Sequence, residues 1–181
     1  LGKFNDVLIK VDVTIKLFPN SDILYNIRGA TNAALGRINI ANSNYSHAIK
    51  LNPDNAGAHN NMANNLKAQG KLEAAIRSYK EAVRIFPRYA QAYYNMGNAF
   101  QEKGNHTEAI KNYGEALTIK PDFVEAYKNL AHVLKGYHFT KPMDELNKIL
   151  THLIGEGNYV SPQDISSSII SILKLNPIIE K

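Results

Sequence analysis

The apolar positions of this 181-residue chain fall on helical spacing, and the pattern repeats itself along most of its length. Phe4, Val7, Leu8 and Val11 give the i, i+3, i+4, i+7 stripe of an amphipathic helix. Farther on, Ala41, Ala75 and Ala109, then Tyr45, Tyr79 and Tyr113, then Ala48, Ala82 and Ala116 recur in steps of 34 residues. Glycines at Gly2, Gly36, Gly70 and Gly104 and prolines at Pro19, Pro53, Pro87 and Pro121 keep the same step. Five series on one period make the internal repeat the dominant signal. Each residue type has a mechanical reason for its place. A glycine ends the first helix of a unit because a left-handed residue is needed there, and a proline follows the second helix because it cannot continue it. The alanines let two helices approach closely. A tyrosine four residues after Ala75 or Ala109 lies on the same helix face, where it fills the space between units.

These marks divide the chain into a half unit at 1–21, full units at 22–55, 56–89 and 90–123, and the first helix of a further unit at 124–135. The period then stops, with His138 where the next glycine is due. Leu146, Ile149, Leu150, Leu153 and Ile154 keep helical spacing from near Pro142, and GEGN breaks it. Ser161-Pro162-Gln163-Asp164 reads as a helix start, with Ile165, Ile169, Ile172 and Leu173 facing inward. Residues 136–181 are therefore expected to form a helical cap, which a repeat array needs because its last unit otherwise exposes the face meant for a neighbour. No such cover guards the start. Phe4, Val7, Leu8 and Val11 lack the first helix of their own unit, so this face is a candidate for self-association into a homo-oligomer, unless the chain is cut from a longer one.

Residues 56–89 (AGAHNNMANNLKAQGKLEAAIRSYKEAVRIFPRY) and 90–123 (AQAYYNMGNAFQEKGNHTEAIKNYGEALTIKPDF) resemble the tetratricopeptide repeat, a 34-residue helix–turn–helix unit. Residues 22–55 match it more loosely, and the likeness covers about three quarters of the chain. It implies an all-α fold, a right-handed superhelical solenoid. It also implies a non-catalytic scaffold for protein–protein interaction that holds a protein or an extended peptide in a concave groove. The tail, GYHFTKPMDELNKIL with NYVSPQDISSSIISILKLNP, is similar to the segment after the repeats in bacterial repeat-containing methyltransferase-like proteins. That similarity implies an alternative: the substrate-recruiting N-terminal part of a larger transferase, a methyltransferase or glycosyltransferase.

In this family the groove is lined by fixed positions of each first helix. Carried onto this sequence, the fifth position holds Asn26, Asn60, Tyr94 and Lys128, the sixth Asn61, Asn95 and Asn129, and the ninth Asn64, Asn98 and His132. The implied groove is an amide ladder with a basic end at Lys128, His132 and Lys135. An asparagine carries donor and acceptor together, so it can satisfy both groups of a peptide backbone whatever the peptide's side chains are. The alternative is that these amides solvate a helix face or bond to one another between units. One unit departs from the pattern: Arg28 and Asn32 stand where Met62, Met96 and Leu130, and Leu66, Phe100 and Leu134, stand in the later units. Such a charge either pairs with an acid such as Asp12 of the preceding helix or marks a polar interface seam.

Composition narrows the classes further. The absence of cysteine removes disulfides, thiolate nucleophiles and cysteine-ligated zinc. His47, His59, His106, His132, His138 and His152 show no metal-ligand spacing, Gly155-Glu156-Gly157 follows a helix rather than a strand, and Ser166 to Ser168 have no paired base, so neither metal, cofactor nor catalysis is expected. Asn44-Tyr45-Ser46 and Asn105-His106-Thr107 match the glycosylation pattern, the first within a packed helix. The net charge is +5, and beyond residue 135 four lysines face five acids, so the basic excess lies in the repeats. It forms no Lys/Arg block, and helical repeats that read RNA bases have a 35-residue step, so no nucleic-acid partner is expected. No apolar run approaches the roughly 20 residues of a membrane span, and LGKFNDVLIK is unlike a signal peptide, so the cytoplasm is the expected location.

Overall fold

The computed structural model describes residues 2–135, all of whose regular structure is helical. The expected cap at 136–181 lies outside the described residues. The chain divides into two compact units, Leu1–Pro87 and Arg88–Lys181. The first holds α1 (Gly2–Leu17), α2 (Asp22–Ala34), α3 (Ile38–Leu51), α4 (Ala56–Ala68) and α5 (Leu72–Ile85). The second holds, among the described residues, α6 (Ala90–Glu102), α7 (His106–Ile119) and α8 (Val124–Lys135).

The glycines do what their spacing predicts. Gly36, Gly70 and Gly104 have φ of 75°, 72° and 78°, a left-handed conformation that disfavours any side chain with a Cβ. At the first of these turns the Gly36 N–H donates to the Ala33 carbonyl and the Arg37 N–H to the Asn32 carbonyl, each at 2.9 Å. That pair of bonds is the Schellman arrangement, which satisfies carbonyls left over at the end of α2. The same two bonds recur at Gly70 and Gly104. Two of the following helices also start with an amide cap: Asn55 Oδ1 accepts from the Ala58 N–H at 2.8 Å, and Asn105 Oδ1 from the Glu108 N–H at 3.2 Å.

Within each unit the helices pack in sequence order, and the first helices of successive repeats also touch: α2 meets α4, and α6 meets α8. Ala41, Ala48, Ala75, Ala82, Ala109 and Ala116 are completely buried at the close contacts. Tyr45, Tyr79 and Tyr113 are buried between the helices of their own repeats. A Cβ built on Gly29 would lie 2.5 Å from Tyr45 Cε1, and one on Gly97 would lie 2.6 Å from Tyr113 Cε1. In the repeat between them, Ala63 occupies the equivalent place.

The irregular repeat resolves by pairing. Arg28 Nε lies 2.9 Å from Asp12 Oδ1, joining α2 to α1. Asn32 is buried, and its Nδ2 donates to the Arg28 carbonyl one turn back at 2.9 Å, so no donor of that arm is stranded. At the start of the chain, Val11 corrects the expectation of a bare apolar face. It is only 7% exposed and belongs to the core, because α2 packs on α1. Phe4 and Val7 remain exposed, and Leu8 is half-buried. One repeat later, the place of Val7 is taken by the buried Ala41.

Candidate functional site

The amides singled out in the sequence lie on the first helices, α2 and α4 in one unit and α6 and α8 in the other. In the first unit Asn61 Nδ2 donates to Asn26 Oδ1 at 3.0 Å, bridging α4 to α2. Asn61 Oδ1 in turn accepts from its neighbour Asn60 Nδ2 at 3.3 Å. In the second unit Asn129 Nδ2 donates to Asn98 Oδ1 at 2.8 Å and reaches Tyr94 Oη at 3.2 Å, bridging α8 to α6. The alternative of amides bonding between repeats is therefore what these pairs display. Tyr94 also packs against Phe123, ring centroids 4.9 Å apart, with Lys120 Nζ 5.0 Å from the Phe123 centroid.

Burial sorts the expected residues into two groups. Asn26, Asn61, Asn64, Tyr94, Asn98 and Asn129 are half-buried, with part of each side chain open to solvent. Asn60 and Asn95 are buried, at 4% and 8% exposure, which corrects their placement on a ligand-facing surface. Asn95 Oδ1 accepts from Gln91 Nε2 at 3.0 Å, one turn earlier on α6, so it is held by its own helix. Lys128, His132 and Lys135 are exposed along α8. Beside them an open cavity of about 330 Å³ is lined by Gln101, His106, His132, Val133 and Lys135.

In each unit one tyrosine also bonds to these amides, although the groove positions do not include it. Tyr79 Oη donates to Asn64 Oδ1 at 2.6 Å, tying α5 to α4. Tyr113 Oη lies 2.7 Å from Asn98 Oδ1 and 2.6 Å from Gln101 Oε1, its single proton serving one of them at a time. Asn64 to Tyr79 and Asn98 to Tyr113 are both separations of 15 residues, an equality that the 34-residue repeat produces whether or not a bond forms. Burial raises the Tyr113 phenol above its usual range.

Among the described residues no group of three or more His, Cys, Asp or Glu is placed to hold a metal ion. No described helix is long and apolar enough to cross a membrane. Asn44 is buried, its Nδ2 donating to the Ile40 carbonyl at 2.7 Å.

The repeat geometry meets its counterpart in known families. A family model described as TPR repeat matches residues 63–104 and 97–136, and one described as Tetratricopeptide repeat matches residues 44–77. Residues 44–136 belong to the tetratricopeptide-repeat family. Solved tetratricopeptide-repeat structures share the chain's fold. MamA has a TM-score of 0.69 at 21% identity, over 96% of this chain and 91% of that one. The Arabidopsis OM64 TPR domain has a TM-score of 0.62 at 24% identity, over 64% of this chain and 96% of that one. The first TPR of Spaghetti (RPAP3), solved bound to the HSP90 peptide SRMEEVD, has a TM-score of 0.61 at 23% identity, over 62% of this chain and 90% of that one. At such identities the likeness is one of fold. A search of curated protein sequences found no match. The family-model matches end at residue 136, and the stretch that is similar to methyltransferase-like proteins lies outside the described residues.

Proposed function

We propose that the chain is a non-catalytic scaffold that binds a protein partner by holding an extended peptide segment against its first helices. The observation that carries this reading is the state of the half-buried amides. They are held in place by one another and by tyrosines, yet keep hydrogen-bonding capacity in reserve. Asn26 Nδ2, Asn64 Nδ2, Asn98 Nδ2 and Asn129 Oδ1 make no hydrogen bond among the described residues, and none is buried. Such groups are preorganised at low entropic cost for a backbone that offers carbonyls and N–H groups in alternation.

A fold relative solved with a peptide, the first TPR of Spaghetti (RPAP3) with its HSP90 peptide, supports peptide binding as a use of this repeat. The exposed Lys128 on α8 adds a screened preference for acidic groups in the second unit. The test is peptide selection by phage display on the whole chain, followed by affinity measurement on wild type and on Asn64→Ala, Asn98→Ala and Asn129→Ala together. Selected peptides that bind both proteins equally tightly overturn the proposal.

A further inference from the structure

We propose that Tyr79 and Tyr113 are positioning residues that lock Asn64 and Asn98 with the amide nitrogen outward, so that these two rungs read hydrogen-bond acceptors, such as peptide carbonyls, and not donors. This rests on the peptide-binding reading above and gives it a chemical polarity.

A primary amide can present either end to a ligand, because a half-turn about its last torsion exchanges oxygen and nitrogen. What decides the orientation is the partner on the protein side. For Asn64 that partner is the Tyr79 hydroxyl, 2.6 Å from Oδ1. A phenol can also accept, but a buried hydroxyl needs an acceptor for its own proton, and the Asn64 carbonyl oxygen at this distance is a good one. The oxygen of Asn64 is therefore committed inward and its two N–H donors outward. Asn98 is held by Asn129, and also by Tyr113 when that hydroxyl's proton is not on Gln101 Oε1, 2.6 Å away. Its Oδ1 faces Tyr113 Oη at 2.7 Å and accepts from Asn129 Nδ2 at 2.8 Å, and a flipped Asn98 would set two N–H groups against each other.

The lock belongs to only two repeats. In the repeat that begins at Asp22, the place of Asn64 and Asn98 is taken by Ala30, so Tyr45 has no amide to hold there. The further unit that begins at Val124 carries the exposed His132 at that place. Asn64 in the first unit and Asn98 in the second are thus alike, each with its nitrogen unbonded among the described residues and open to solvent. Asn129 differs, since its N–H groups are used toward Asn98 and Tyr94 and its oxygen is the end left over.

The experiment follows the side-chain NH₂ resonances of Asn64 and Asn98 by NMR in the ¹⁵N-labelled full chain. The probe is sodium acetate, which accepts and does not donate, against sodium chloride at equal ionic strength. Acetate is expected to shift both NH₂ pairs beyond the chloride control. In Tyr79→Phe, which keeps the ring and removes the hydroxyl, the two orientations of Asn64 become comparable and its acetate response falls to about half, while that of Asn98 is unchanged. Tyr113→Phe alone affects Asn98 less, because Asn129 still holds its oxygen; Tyr113→Phe with Asn129→Ala brings Asn98 down as well. If Tyr79→Phe loses its helical spectrum, the Tyr113 and Asn129 variants carry the test. A wild-type chain blind to acetate, or folded variants that respond as wild type does, would overturn the lock. Either result with peptide affinity still dependent on the asparagines overturns the lock alone and leaves the peptide-binding reading standing.

Discussion

Gly97 stands directly against Tyr113: a Cβ on the glycine would lie 2.6 Å from Cε1 of the ring, closer than carbon atoms approach without something moving. The same holds for Gly29 and Tyr45 at 2.5 Å. The missing methyl leaves room for each of these two rings in its present position. Gly97→Ala and Gly29→Ala are therefore expected to destabilise the fold by about 1–3 kcal/mol, less the roughly 1 kcal/mol that alanine gains in a helix. Chemical denaturation checks the sign. A net gain in stability for both variants would show that the rings yield freely.

The completely buried alanines make a stronger case. Ala75→Phe and Ala109→Phe place a ring at close helix contacts in α5 and α7, and an overpacking cost of about 1–3 kcal/mol or more is expected. A shift of the denaturation midpoint within the roughly 0.5 kcal/mol of an ordinary surface change would show that these contacts have room.

Alkaline pH should unfold the chain through its buried phenols. Burial pushes the Tyr45 phenol up to about 12 and raises Tyr113 as well, whereas an unfolded tyrosine titrates near its ordinary value of about 10. The folded state then binds more protons than the unfolded one, so stability is whole below about pH 10 and declines as pH rises toward the folded value. Phenolate absorbance and helical circular dichroism, followed together, are expected to show these tyrosines ionising only as the helices melt. Full ionisation with an intact helical spectrum would contradict their burial.

The exposed apolar residues of α1 give a prediction about assembly. Phe4 and Val7 are large apolar side chains exposed on α1, and such residues favour cover. Light scattering at high concentration is expected to show a dimer or larger species that Phe4→Glu with Val7→Glu dissolves. A strictly monomeric wild-type chain contradicts this. Val11 is left unchanged, since it is part of the core.

Much of this was legible in the chain because the repeat forces it. A left-handed residue must end each first helix, so Gly36, Gly70 and Gly104 announced three turns, and Asp12 was the acid within reach of Arg28. The side of a helix was legible only coarsely. Asn60 shares its repeat position with the half-buried Asn26 and Tyr94 and the exposed Lys128, yet it is buried, because the neighbours that cover a given turn differ from repeat to repeat. Asn95 departs in the same way from Asn61 and Asn129. The bonds from Tyr79 to Asn64 and from Tyr113 to Asn98 were illegible for another reason. They cross from a second helix to a first, and whether a hydroxyl meets an amide there depends on interhelical distance, which residue spacing does not give.

Affinity for a selected peptide reports whether the half-buried amides hold it. Calorimetry on the wild-type chain is compared with the variant carrying Asn64→Ala, Asn98→Ala and Asn129→Ala. Each lost hydrogen bond is worth about 0.5–1.5 kcal/mol, so the three together are expected to weaken binding by at least about tenfold while the helical spectrum stays intact. Unchanged affinity in the folded variant would mean that the amides only brace the repeats, and that the partner binds on another face.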